Sequence, residues 1–220
     1  MRAAPVHRGA GEDDGALPAR LFALHDDARH VPAWISYRLT AEHAPGCLPR
    51  KNTFAADPDL SHEARAKPAD YHGTGFDMGH LAPDADVMRE SFYLSNMPPQ
   101  LAKLNREGWE RLEEAVRAWA IGRGEVLVEV GPIFGDAPET IGPDDVAVPI
   151  AFWKVVAAIP EAIAFEMPNA PVRKDEALTH VVAIADVEAH AALKLPIPGG
   201  IDRDHPTLLW AVDLAAVHAR

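Results

Sequence analysis

Of the eleven histidines in the chain, His80 stands out because it sits between a glycine and an apolar pair, in the run Gly75-Phe-Asp-Met-Gly-His-Leu-Ala-Pro-Asp84. A neutral imidazole held in such a place can take a proton from water near pH 7. A second group of chemically capable side chains lies farther on. Asn105 stands four residues before Trp109, at the head of an inward stripe, so its amide needs a partner. Glu113 and Arg117 follow eight and twelve residues after Asn105 and form an i, i+4 pair. On a uniform α-helix they lie about 80° and about 120° around the axis from Asn105, on one side. On spacing alone the plainer account is a polar flank with a helix ion pair. Between the two groups, Asn96 and Gln100 are amides among apolar residues, and either serves loop backbone groups or helps order a site. Arg50 and Lys51 precede Phe54, where either phosphate contact or simple solvation would suit them.

These residues need elements to hold them. Ile35, Tyr37 and Leu39 alternate with Ser36 and Arg38, which predicts a strand over 34–40. Residues 41–75, with Pro45, Pro49, Pro58, Pro68, Gly73 and Gly75, form a long connection of the kind that usually serves function. A brief apolar piece follows over 76–82. Pro98 and Pro99 forbid a helix before about residue 100, after which Trp109, Leu112, Val116 and Trp119 recur at helical steps. Strands are expected over 126–130, 151–159 and 162–167, the last two as a hairpin turning at Pro160-Glu161, and over 181–185. Asp186 is expected to cap a short helix through Leu193. Residues 1–30 show little periodicity and are expected to be a loosely ordered arm before a single domain over 31–220. Strands in runs indicate an α+β class with antiparallel sheet.

Composition bounds the function. The 220 residues, 48% hydrophobic and 25% charged, suffice for one sizeable core. No apolar run approaches the roughly 18 to 20 residues of a membrane span. Cys47 alone excludes an intramolecular disulfide scaffold and a Cys-rich zinc module. Arg2, Arg8, Glu12, Asp13 and Asp14 interrupt any signal-peptide core, so no leader is visible. Thirty-three acids against 21 bases give −12, a field that repels polyanions at long range. Local cations can still hold a phosphate. Over 101–123, Lys103, Arg106, Arg111, Arg117 and Arg123 outnumber Glu107, Glu110, Glu113 and Glu114 by one.

The order of blocks carries a resemblance. Asp77-Met-Gly-His80, the Ser95-Asn96 segment, and a helix bearing Asn105, Glu113 and Arg117 come in sequence. Around them stand Arg50 with Phe54 and Asp57-Pro58, Pro68-Ala-Asp-Tyr71, Val130-Gly-Pro-Ile-Phe134, and Val148-Pro149 with Phe152-Trp-Lys154. Over roughly residues 31–200 the chain resembles the DNA/RNA non-specific endonuclease family, the ββα-metal nucleases of the Serratia nuclease and endonuclease G type. The resemblance implies a ββα-metal (His-Me finger) fold with a central antiparallel sheet flanked by helices. It implies a Mg²⁺-dependent endonuclease that cuts DNA and RNA through the phosphate backbone and leaves 5′-phosphates, with Mn²⁺ or another divalent ion able to substitute. His80 would be the general base, and Asn105 the direct protein ligand of the ion. Glu113 would reach the ion through water, and Arg117 would meet the phosphate. Asn96 would order the site, Asp77 would support the local turn at its substrate edge, and Gly79 would permit close backbone approach. Arg50 would bind phosphate. Relatives are exported or sit in mitochondria, so the location stays open, with a secreted or periplasmic one implied by the resemblance; they also admit a homodimer and, by analogy, an inhibitor protein.

One position departs from the pattern: Met78 stands where the family carries Arg, and Met cannot imitate a bidentate guanidinium. Together with the acidic balance this motivates a rival reading, a catalytically weakened relative that only binds nucleic acid or protein. A zinc hydrolase is poorly supported, since no His-Glu-x-x-His occurs and His62, His72 and His80 lack helical ligand spacing.

Overall fold

The computed structural model describes residues 3–8, 21–44, 54–83 and 92–218. In chain order its strands are β1 (Ala3–Arg8), β2 (Leu21–Asp26), β3 (Val31–Thr40), β4 (Phe76–Met78), β5 (Pro99–Leu101), β6 (Glu125–Ile133), β7 (Thr140–Ile141), β8 (Val146–Ala147), β9 (Ala151–Ala158), β10 (Glu161–Pro168) and β11 (Val181–Val182). The α-helices are α1 (Pro68–Tyr71), α2 (Glu110–Arg123), α3 (Ile184–His190) and α4 (Leu214–His218). Seven strands make one antiparallel sheet in the order β1-β2-β3-β6-β9-β10-β11, and β4 pairs with β5 in a separate ribbon.

Strand alternation assigns the two faces of the large sheet. Ile35, Tyr37 and Leu39 of β3, Val126, Val128 and Val130 of β6, Phe152 and Val156 of β9, and Ile163 and Phe165 of β10 point one way. They pack on Trp109, Leu112, Val116 and Trp119 of the long helix, the stripe that the helical steps predict. Trp153, Val155 and Ala157 of β9 and Ala162 and Ala164 of β10 point the other way, onto Ile184 and Val187 of α3. The helix ends at Gly124, whose φ of 88° only glycine adopts without strain, and Gly124 O accepts a bond from Ala41 N.

Several expectations are corrected. β1 and β2, inside the stretch expected to be loosely ordered, extend the main sheet through β3. Leu21, Ala23 and His25 of β2 are buried in alternation, a period too short to stand out from the surrounding Gly, Ala and acids. β11 covers only two residues because the chain turns into α3 at Ile184. Asp186 is the third residue of α3, not its cap, and its carboxylate accepts from Ala183 N. The helix also ends earlier than expected, at His190. The Pro160-Glu161 hairpin forms as expected, with β9 and β10 in register from Ala158 and Glu161 outward.

Candidate active site

β4, β5 and the helix that follows form a ββα unit on the α2 face. Asp77 lies opposite Gln100 and Met78 opposite Pro99 in the ribbon. Asn169, just beyond β10, fixes the outer edge of β5: its carbonyl accepts from Leu101 N, and its amide donates to Pro99 O and Pro149 O. Gly79, between β4 and His80, lies flat on Gln100, and a Cβ there would meet Gln100 Oε1 at 2.2 Å. The close approach expected of this glycine is therefore real, and it is made to a side chain.

His80 is located by its neighbours. Its ring stands edge-on to Phe92, with centroids 5.5 Å apart, and tilted against Phe54 at 6.1 Å. Its backbone carbonyl accepts a bond from Trp109 Nε1 at 3.1 Å. Next in the chain, Leu81 N donates to Asn96 O. The Asn96 side chain then grips Ala82 from both ends, its carbonyl accepting from Ala82 N at 3.0 Å and its amide donating to Ala82 O at 2.8 Å. Asn96 is buried, so its visible work is to hold the backbone beyond His80. Its neighbours are held from elsewhere: Ser95 Oγ donates to buried Asp57, and Tyr71 of α1 donates its hydroxyl to Met97 O. Burial pushes the Tyr71 phenol far above its ordinary value, so it stays a donor.

Asn105 begins the second half. Residues 104–109 wind with the wider i→i+5 bonding of a π turn before α2 continues as a regular helix. The angular offsets derived for a uniform helix therefore do not carry across from Asn105 to Glu113 and Arg117, although those two keep their i, i+4 relation within α2. Facing is set instead by a bond: Asn105 Nδ2 donates to Asp77 Oδ2 at 2.9 Å. Arg106 adds a fork to the same carboxylate, Nε to Oδ2 at 2.9 Å and Nη2 to Oδ1 at 2.7 Å. That bonding raises the guanidinium further above its ordinary value. Asp77 thus joins β4 to the start of the helix, and the bond from Trp109 to His80 O repeats the junction one helical turn later.

Glu113 is mostly buried at 14% exposure, and its Oε1 lies 3.9 Å from Nζ of Lys154, a β9 residue with no exposed surface. Lys154 Nζ also sits 4.4 Å over the Trp109 ring. Arg117 is half-buried on α2. Met78 packs with Phe54 and Phe76 against the cluster of Tyr71, Phe92 and Leu94. Arg50 and Lys51 fall outside the described residues.

The structure thus bonds Asp77 to Asn105, ties His80 O to the same helix through Trp109, and sets Asn96 against Leu81 and Ala82 beside His80, while Glu113 lies near Lys154, which sits over Trp109. Sequence reasoning missed three contributors. Trp109 read only as core, Arg106 only as surface charge, and Lys154 only as part of a recognised block. Lys154 had a usable signal, since it shares strand parity with Phe152 and Val156 and must point into the core.

Among the described residues there is no cluster of three or more His, Cys, Asp or Glu that could hold a metal ion. No helix among them is long and apolar enough to cross a membrane.

Comparison with known proteins accords with this geometry. Residues 16–195 match the family described as DNA/RNA non-specific endonuclease. Human mitochondrial endonuclease G is 35% identical over 194 residues, covering 77% of this chain and 65% of that protein. Mitochondrial nuclease EXOG of Xenopus laevis is 33% identical, covering 77% of this chain and 54% of that one. Nuclease C1 of Cunninghamella echinulata var. echinulata is 34% identical, covering 74% and 75%. The chain therefore spans less than two thirds of the length of the first two. Their names place those two relatives in mitochondria, one of the locations that the resemblance admits beside a secreted or periplasmic one. Among solved structures, one from the EndoG/EndoGI complex, titled for the mechanism of EndoG inhibition, superposes with a TM-score of 0.75 at 27% identity, covering 86% of this chain and 84% of that one. The ββα unit on an antiparallel sheet and these matches together make the chain a member of the DNA/RNA non-specific endonuclease family.

Proposed function

We propose that this chain is a sugar-non-specific endonuclease that hydrolyses phosphodiester bonds of DNA and RNA with the help of a divalent ion, Mg²⁺ first among them. The observation that carries the reading is the double junction of Asp77 with Asn105 and of His80 O with Trp109, which binds a candidate base and a candidate ion ligand into one unit.

The donor set suits a hydrated hard cation. Asn105 has its amide nitrogen engaged by Asp77, so the atom it offers is the carbonyl oxygen. Close by in the ribbon, Gln100 is buried with both amide atoms lacking a partner among the described residues, a polar lining that ordered water can satisfy. Mg²⁺ keeps several waters and takes few protein ligands. Asn105 would hold it directly and Glu113 through water, and the ion would supply charge stabilisation at the phosphate and the leaving oxygen.

The remaining chemistry belongs to the chain. His80, its ring set between Phe54 and Phe92, would take a proton from an attacking water. As the water oxygen bonds to phosphorus, the bond from phosphorus to O3′ breaks, leaving a 5′-phosphate and a 3′-hydroxyl that takes its proton from solvent. Phe54 and Phe92 fix the imidazole plane, and Asn96 fixes the backbone behind it. Arg117 and Arg50 would meet the phosphates. Binding should tolerate any sequence and weaken with salt. By analogy with the EndoG/EndoGI complex, an inhibitor protein is a partner worth testing, as is a second copy of the chain.

Nicking of supercoiled plasmid and degradation of RNA by the pure protein, with Mg²⁺ and then with EDTA, test the reading. Cleavage with Mg²⁺ that EDTA stops is expected, and His80→Ala should lower it by at least about 10²-fold while leaving the melting temperature and substrate binding nearly unchanged. No cleavage with any divalent ion would return the chain to the class of binding modules, and a near-normal His80→Ala rate would reassign the base.

A further inference from the structure

We propose that Arg106 is a substrate-positioning residue, which presents to a backbone phosphate the guanidinium that position 78 lacks. The inference rests on the nuclease reading of the same site and names a residue which that reading does not use.

Four observations carry it. Arg106 follows Asn105, and the two donate to the same Asp77 oxygen, so the guanidinium is fixed relative to the candidate ion ligand. Asp77 is 18% exposed and Arg106 70% exposed, which places the cation as the outer layer over a mostly covered carboxylate. The fork uses Nε and one Nη2 hydrogen, and a planar guanidinium has five. The edge formed by Nη1 and the second Nη2 hydrogen is therefore left for a second bidentate acceptor, and phosphate is the acceptor that matches it. Finally, Met78 is packed into the apolar cluster with Phe54 and Phe76 and brings no charge to the rim.

Of the acids beside Arg106, Asp77 and Glu110 are paired, and Glu107 interacts with the charge of Arg173. Asp77 is neutralised by Arg106 itself, and Glu110, one turn along, by Lys174 at 2.7 Å. Lys103 lies exposed three residues before Arg106. In a chain of net charge −12 this pairing keeps the rim near neutrality, so the geometry of the open guanidinium edge, not an excess of positive charge, is what recommends a phosphate. Because an acid holds the guanidinium in place, little side-chain freedom is lost when phosphate arrives.

The test compares the full chain with Arg106→Gln and Arg106→Lys. Anisotropy of a labelled DNA duplex in EDTA, titrated with salt, reads the phosphate contact without cleavage, and initial rates in Mg²⁺ separate KM from kcat. For Arg106→Gln the slope of log affinity against log salt should shrink by about 1 and KM should rise roughly tenfold at low salt, with kcat and melting temperature little changed. Arg106→Lys should restore the salt slope, since it keeps the charge, but recover KM only in part, since it loses the fork. If Arg106 merely holds Asp77, Arg106→Gln would lower kcat or raise the Mg²⁺ requirement at an unchanged salt slope, and the proposal falls. Wild-type protein that binds without cleaving overturns the enzymatic reading and leaves the salt slope to decide on Arg106. Protein that neither binds nor cleaves overturns both.

Discussion

The adjacent strands β6 and β9 each bury one charged-type side chain, Glu129 on one face of the sheet and Lys154 on the other, and the pair is instructive. Toward α3, Glu129 accepts bonds from Trp34 Nε1 at 2.6 Å and Ser36 Oγ at 2.9 Å. These neutral donors do not offset burial, which pushes the carboxyl up to about 7. Toward α2, Lys154 lies as deep but near an opposite charge, Glu113, and an aromatic face, Trp109, whose indole N–H holds His80. One face therefore carries a buried acid whose bonds close on themselves. The other carries a buried base whose contacts lead to the candidate site. Depth alone does not mark function; where the partners lead does.

This contrast can be broken by experiment. The largest effect is expected at the end of the α2 network: Asn105→Ala should cost roughly 10- to 100-fold or more in cleavage at ordinary Mg²⁺, recovered in part by raising the ion. An unaltered metal dependence would remove Asn105 as ligand. Lys154→Met keeps the bulk but leaves Glu113 mostly buried without this cation, so about 3 kcal/mol of stability should go, and kcat with it. Urea unfolding and kinetics on one preparation would check both. Were stability to fall with kcat untouched, Lys154 would be as remote from the site as Glu129.

Glu129→Gln should act on stability alone, and only at the upper end of the pH scale. Below about pH 4.5 the carboxyl is protonated in folded and unfolded chains, so it imposes no penalty. As pH rises toward about 7 the unfolded carboxyl ionises first, and wild-type stability declines. Above that the cost levels at about 3 kcal/mol, as expected for a folded value near 7 against an ordinary 4.5. Glutamine can still accept from Trp34 and donate to Ser36 while carrying no charge. The variant should therefore match wild type in acid, exceed it by up to about 3 kcal/mol at pH 8, and cleave normally. A flat difference across pH would mean that Glu129 stays ionised in the fold.

What the sequence made legible follows from periodicity. β3, β6, the β9–β10 hairpin and the helix through Trp119 each repeat their apolar residues at the period of the element. The ordered blocks of the resemblance put His80 and Asn105 into one candidate site, an expectation that the variants at those two positions test. The remainder depended on partners far along the chain. β2 is recognisable as a strand only once β3 lies beside it, since its alternation spans six residues. The π turn at 104–109 has no composition signal and is stabilised by the bonds of Asn105 and Trp109 to the β4 side. Arg106 resembles any exposed cation until Asp77 stands opposite. Local pattern names elements; long-range bonds give them their facing.

Ser95, Asn96 and Met97 are three adjacent residues, each held by a different stretch of chain: Asp57, Ala82 and Tyr71. A tripod of this kind makes the imidazole's platform answerable to stretches of chain as far apart as residues 57 and 97. Damage at a remote foot, such as Tyr71→Phe, would reach the reaction as lost alignment. Amide protons along 94–97 should then exchange together, since no leg opens without loosening the other two.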